Sequence, residues 1–302
     1  MANILLGAVS LGLLWAVMTL GVYITYRVLD IADLTVEGSV ALGAAVAARL
    51  ITAGTPAWPA SLAALAAGMT AGLVTGLLHT RLKIPALLSG ILTMIALYSI
   101  NLRVMGKANI PLLRIETVYT RFQNMGLTKS LPTLVVGVMV VTLVSFALYW
   151  FFGTELGSAI RATGNNRAMS KAQGIDTDHM IILGLVLSNG LVGFAGALIA
   201  QSQSFADVQM GTGSVVIGLA SLIIGEVLFG TRSFKNRLVS VSLGAVLYRV
   251  IIALVLKAGM DPNDMKLFTA ATVAICLALP MFRSYWNTLK KSLTSEREGA
   301  HA

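Results

Sequence analysis

Nine apolar runs divide the chain, at about 4–28, 36–53, 57–79, 84–102, 131–152, 179–201, 213–230, 238–257 and 266–282, with short polar or basic intervals between them. Each is near the ~20 residues that a helix needs to cross a hydrocarbon core about 30 Å thick. The pattern predicts an all-α fold, a polytopic transmembrane helical bundle of about nine spans forming one domain over 1–302. No Lys or Arg precedes the first run, and it stays apolar too long for the core of a cleaved signal peptide, so it reads as a retained helix.

Composition agrees. Of 302 residues, 56% are hydrophobic and 12% charged, and the mean hydropathy of +0.82 lies far from that of soluble domains. The net charge of +9 would point to nucleic acid in a soluble protein. In a membrane protein it reflects basic loops on the cytoplasmic side, and no basic groove with interleaved aromatics occurs, so no nucleic-acid partner is expected. The lone cysteine, Cys276, falls inside the last run and reads as packing. His79 and His179 show no metal-ligand spacing, and no metal site is expected.

Counted by alternate sides, Arg27, Arg81, Lys83, Arg161, Arg167, Lys171, Arg232, Lys235, Arg237, Arg283, Lys290, Lys291 and Arg297 share one face of the membrane. The positive-inside rule makes that face cytoplasmic, with the N-terminus outside and the C-terminus inside. Arg103, Lys107, Arg114, Arg121 and Lys129 in the 103–130 loop run against this assignment. A second pattern is internal: "ADLTVEGSVALGAA" from Ala32 resembles "ADVQMGTGSVVIGLA" from Ala206. Runs one to four (about 4–102) then correspond to runs six to nine (about 179–282). The odd offset of five makes the copies insert in opposite directions, an inverted-topology repeat with the substrate route at the repeat interface.

The most polar interval is "GTELGSAIRATGNNRAMSKAQGID" from Gly153. Thr154 can cap a short helix with Glu155 in its first turn and Leu156, Ala159 and Ile160 on one face; Gly164 stops it. Asn165 and Asn166 supply turn and cap chemistry for a second helix, Arg167 to Gln173, with Met169 and Ala172 on its apolar side and Gly174 as its stop. Gly157, Ser158, Ala159 and Ala162 leave room for a partner's backbone, and Arg161 can reach a partner's carboxylate or carbonyl. The alternative is an amphipathic segment lying on the lipid interface.

This interval, with the "GLASLIIGEVLFG" that follows, resembles the coupling-loop region of permease subunits of bacterial ATP-binding-cassette importers, in the branched-chain amino acid and ribose permease superfamily. "YRVLDIADLTVEGSVALGAAVAA" is similar to the stretch after the family's first helix, so the likeness covers nearly the whole chain. Asp33, Glu37 and "GEVLFG" resemble a branch some of whose members take amino acids, including aromatic ones. The resemblance implies a multi-pass protein of the bacterial cytoplasmic (inner) membrane, without enzymatic activity. The cytoplasmic loop 153–178, through Glu155, Gly157, Arg161, Ala162, Gly164, Asn165 and Ala168, would seat in a separate ATPase. A second permease copy and an extracytoplasmic solute-binding protein would complete the importer. No G-x-x-x-x-G-K-[ST] phosphate loop occurs, since "MGKAN" around Lys107 lacks its first Gly and its Ser or Thr. ATP is therefore expected on the partner, with no cofactor on this chain.

Inside the membrane, Glu226 lies about one turn from the cytoplasmic end of the seventh run, and Arg249 lies near the middle of the eighth. Each is a functional candidate, as a mutual pair or with Glu226 ordering the "TRSFKNR" loop through Arg232 or Lys235. Asn189, Ser188 and Gln201, with Ser39 and Ser214 at matched repeat positions, can line a polar route or serve packing and capping. A secondary transporter with inverted repeats is the competing reading, but only Glu226 is available for ion coupling. An intramembrane enzyme comes third, for want of H-E-x-x-H, G-x-S-x-G or paired membrane-depth aspartates.

Overall fold

The computed structural model describes residues 2–123, 126, 131–259, 264, 267–272, 274 and 278. Helix α1 (Ala2–Tyr23) continues into a π-helical turn, Ile24–Val28, and is followed by α2 (Thr35–Thr52), α3 (Ala57–Thr80) and α4 (Ala86–Met105). Strand β1 (Asn109–Pro111) and the short α5 (Thr120–Gln123) lead to α6 (Leu131–Phe151). A helical hairpin, α7 (Glu155–Asn165) and α8 (Arg167–Ala172), precedes α9 (Thr177–Gln203), β2 (Phe205–Asp207), α10 (Ser214–Phe229) and α11 (Phe234–Lys257).

Among the described residues, seven helices are long and apolar enough to cross a membrane, and they answer to seven of the nine expected runs. The run at 213–230 is instead a 16-residue helix, α10. At 1.5 Å per residue it spans only about 24 Å. The physical reason for the shortfall lies in the segment ahead of it, which descends into the bundle before the helix begins. Gly213, at the N-cap of α10, donates its N–H to Glu37 Oε1 of α2 (2.9 Å). A Cβ on Gly211 would come within 1.9 Å of the Glu37 carbonyl oxygen. α2 also starts at depth, since Ser39 in its second turn bonds Asn189, midway along α9. Irregular backbone is tolerated at such depth where protein surrounds it. The ninth expected run, Cys276 within it, and the basic tail lie largely or wholly outside the described residues.

Helix α9 is the central post, packed against α1, α2 and α3. Glycines set those contacts: a Cβ on Gly68 or Gly72 of α3 would meet the carbonyl of Asn189 or Leu185 at 2.2 Å, and one on Gly43 of α2 would meet that of Gly193 at 1.9 Å. Without a strong hydrophobic drive between helices in lipid, such small residues let backbones close to van der Waals contact. Leu14, Met18, Tyr23, Leu185 and Leu198 fill the main core. At the C-terminal end of α9, β1 and β2 pair antiparallel with Asn109 opposite Asp207. The basic loop is folded onto that end: the Val118 N–H donates to Gln201 Oε1 (3.0 Å), and the buried Tyr119 hydroxyl donates to the Leu198 carbonyl (3.0 Å).

Candidate functional site

The 153–178 interval folds as the expected hairpin, with one boundary corrected. Thr154 accepts the Gly157 N–H (3.3 Å) and caps α7. Helix α7 then runs through Gly164 to Asn165, so Gly164 is not its stop. The break falls at Asn166, whose extended backbone (φ −154°, ψ 99°) redirects the chain and whose Oδ1 accepts the Met169 N–H (2.9 Å) to cap α8. Gly174, at φ +82°, ends the hairpin, and Asp176 caps α9 by accepting the Asp178 and His179 amides (3.1 Å each). The hydrogen bond from the His179 ring holds the Asp176 carboxyl below the usual carboxylate range.

The small residues of α7 serve this chain's own packing first. A Cβ on Gly164 would meet the Val28 carbonyl oxygen at 1.8 Å, in the π-helical turn that ends α1. One on Gly157 would meet the Phe151 carbonyl oxygen at 2.2 Å, at the end of α6. Ile160 and Ser170 are fully buried, whereas Leu156 and Met169 are 52% and 45% exposed. The face turned away from the bundle therefore carries Glu155, Leu156, Arg161, Asn165, Ala168 and Met169, with Ala162 half-buried. Ala172 is exposed, so the burying side of α8 is Ser170, not Met169 and Ala172.

Four elements meet behind the hairpin. The Phe234 ring, at the start of α11, lies 5.3 Å from Phe152 and 6.1 Å from Tyr23 between centroids. Arg161 lies over Phe234 at 5.3 Å and donates to the Phe152 carbonyl (3.4 Å). Within this chain Arg161 is thus held by a ring and a carbonyl. Arg167 pairs with Asp178, which also receives Lys83 (3.2 Å), fastening α8 and the α3–α4 connection to the start of α9. Between α1, α7 and α11 opens a cleft of about 720 Å³ lined by Arg27, Arg161, Arg232, Arg237 and Tyr23 among others.

The intramembrane charges are not partners of each other. Glu226 receives both Nε and Nη2 of Arg27, a fork-shaped pair joining α10 to the π-helical turn. Neither Arg249, Arg232 nor Lys235 pairs with it. The guanidinium of Arg249 lies over the Trp15 ring at 4.0 Å instead. An ion pair between residues 199 apart in sequence leaves no local trace, and for that reason the sequence shows Arg27 only as one of the basic residues of the cytoplasmic side.

The expected route residues are internal ties. Ser39 Oγ donates to Asn189 Oδ1 (2.7 Å), and Asn189 Nδ2 donates to Asp33 Oδ2 (2.7 Å). Asp33 Oδ1 accepts the Thr35 N–H (2.9 Å), and hydroxyl contacts run on from Thr35 to Thr75 (2.7 Å) and from Thr75 to Thr93 (2.9 Å). Asp33, Ser39, Asn189, Gln201 and Ser214 are all buried, as is Ser188, which donates to the Gly21 carbonyl (2.7 Å). Gln201 lies apart from the Asn189 cluster, donating to Ser61 Oγ (2.8 Å) beside a cleft of about 300 Å³ at the C-terminal end of α9. Ser214 Oγ has no partner among the described residues.

The sequence profile for the permease component of branched-chain amino acid transport systems matches residues 4–278. The chain is 39% identical over 274 residues to a tyrosine transport system permease protein of Clostridioides difficile (strain R20291), covering 91% of this chain and 90% of the relative. It is 33% identical over 281 residues to an uncharacterized protein of Rickettsia prowazekii (strain Madrid E), covering 91% and 97%. The ribose import permease protein of Escherichia coli (strain K12) is 27% identical over 240 residues, covering 77% and 71%. No solved structure gives a significant match. With all but the first two described residues of its helical bundle inside the matched span, the chain belongs to the branched-chain amino acid transport permease family, as a membrane subunit of an ATP-binding-cassette importer.

Proposed function

We propose that this subunit imports an amino acid, with tyrosine and other aromatic amino acids as first candidates, and that the 153–178 hairpin couples it to a separate ATPase. The carrying observation is the seat of Gly164 on the Val28 carbonyl. A helix this close to the end of α1 cannot shift without moving α1, and the Arg27–Glu226 pair extends the connection to α10. π-Helical turns recur at functional positions. The outward face, with Leu156 and Met169 exposed between Glu155 and Arg161, offers an apolar contact with a polar rim. ATP is used by the partner, and this chain carries no cofactor of its own.

The proposal includes nine crossings, the seventh made by α10 together with the irregular segment that enters the bundle ahead of it and 266–282 the last, a cytoplasmic hairpin and C-terminus, an N-terminus outside, and an extracytoplasmic solute-binding protein at the β1–β2 end. It also includes pairing with a second permease copy and the inverted repeat. Support for the repeat comes from Glu37 and Gly213, where the two similar segments meet at the N-terminal ends of α2 and α10. Opposed helix starts of this kind suit a substrate route at the interface between two repeats. Replacing Leu156 and Met169 together by Asp tests the coupling. The variant should insert and melt as the parent does, yet lose its ATPase on purification or the response of hydrolysis to loaded binding protein. An ATPase that stays bound and responsive would sink the proposal.

A further inference from the structure

A cation in a membrane-spanning helix is costly and marks function unless something compensates it. Arg249 lies about two turns from the C-terminal end of α11, and among the described residues no carboxylate pairs with it. The partner it does have among them is the face of Trp15 on α1, 4.0 Å away, a cation–π contact that offsets part of its charge. Gly12 makes this possible. A Cβ there would meet Val246 Cα at 2.7 Å and Arg249 Cβ at 3.4 Å, so α1 and α11 approach closely just where the two side chains stack.

Two hydrogen-bond donors remain unmatched. Among the described residues, Arg249 Nε and Trp15 Nε1 are both buried without a partner. Both are donors only, so the groups left over at this seam are N–H bonds and a positive charge, with no acceptor to answer them. Buried unpaired donors are rare enough to need a reason. A neutral hydroxyl ligand would satisfy one donor and leave the charge. A carboxylate satisfies the charge and matches the fork of N–H groups that a guanidinium presents. Arg249 is only half-buried as a whole, so part of the fork is reachable from beside the seam. A lipid phosphate has the same acceptor chemistry, but Trp15 is only 6% exposed, which favours a small carboxylate over a bulky headgroup.

We propose that the Trp15–Arg249 pair is a recognition site for the carboxylate of the imported solute, which restricts this permease to carboxylate-bearing substrates. The inference rests on the importer reading and adds a residue-level selectivity to it. The test uses the full chain in nanodiscs of zwitterionic lipid, with tryptophan emission as the readout. The probes are leucine and phenylalanine and, in parallel, the amides of both. The amino acids should give a saturable emission change and the amides none. Trp15→Phe should abolish the change, Arg249→Gln should weaken apparent affinity at least tenfold, and Arg249→Lys should fall between. If Arg249→Gln fails to fold, the lysine variant and the amide comparison decide. Equal responses to acid and amide, no response to either, or wild-type affinity in Arg249→Gln would each overturn the site. So would a Trp15-dependent change produced by anionic lipid that the amino acids cannot reverse, which assigns the pair to phosphate. ATPase retention is measured on the same preparations. A permease that holds the ATPase without a carboxylate response rejects this inference alone, and a carboxylate response without ATPase retention rejects the proposed hairpin coupling and leaves the site standing.

Discussion

At the scale of single residues, Asn189 does the most varied work. It accepts from Ser39 of α2, donates to the Asp33 carboxylate in the α1–α2 connection, and donates to the Leu185 carbonyl one turn back (3.1 Å). Its backbone carbonyl meanwhile faces Gly68 of α3. A buried carboxylate is tolerable only while its acceptor oxygens are matched. Asn189→Leu removes one match from Asp33 and strands Ser39, so it should cost about 1–3 kcal/mol. A lowered melting temperature in detergent would show this. The double change Asn189→Leu with Asp33→Leu should recover part of the loss, because no orphaned charge is then left. Recovery of nothing would mean that the cluster acts through shape alone. Sequence likeness singled out Asp33 as one half of an Ala-Asp pair and Asn189 as a route residue, but no periodicity could reveal that they touch.

Among the elements, the hairpin separates what local chemistry sets from what packing sets. Its caps are local: Thr154, Asn166, Gly174 and Asp176 act on amides two or three residues away or on their own backbone angles. Asn166→Ala should therefore destabilise α8 by about 1 kcal/mol, read as faster amide hydrogen exchange across 167–172 with little change in α9. Unchanged exchange there would show that Arg167–Asp178 and the buried Ser170, not the cap, hold α8. The roles of Gly157 and Gly164, by contrast, come from outside the hairpin. Each makes room for a carbonyl of α6 or α1, and in sequence each looked like a turn signal or a partner's landing place. The same lesson applies to α10, whose apolar run predicted a full span. Tertiary structure shortened it, because the segment before it enters the bundle in irregular form and meets Glu37.

Across the whole molecule, the ends of α4 and α9 are tied by the β1–β2 pair, which the sequence offered no pattern to predict. In a Cys276→Ser background, Asn109→Cys with Asp207→Cys should form a disulfide under mild oxidant, since the two are cross-strand partners. The single Asn109→Cys variant should react with an impermeant thiol reagent added outside intact cells, and a cysteine at Asn166 should not. Failure of the crosslink would dismiss the pairing. Reaction at Asn166 alone would invert the proposed orientation. Together the 106–123 segment and the cleft beside Gln201 suit the proposed contact with an external protein, and Val118 and Tyr119 give that segment a structural role at this end of the bundle.

Sequence alone determined the class of the molecule and most of its spans, because membrane helices are selected by length and apolarity, and both are local quantities. It also determined the hairpin, for helix caps act over three or four residues. Only the tertiary structure decided which charges pair. Arg27 meets Glu226 and Arg249 meets Trp15 because the contacts of α1 with α10 and α11 place them together, and pairings of that kind depend on helix rotation and depth that no single run of sequence records.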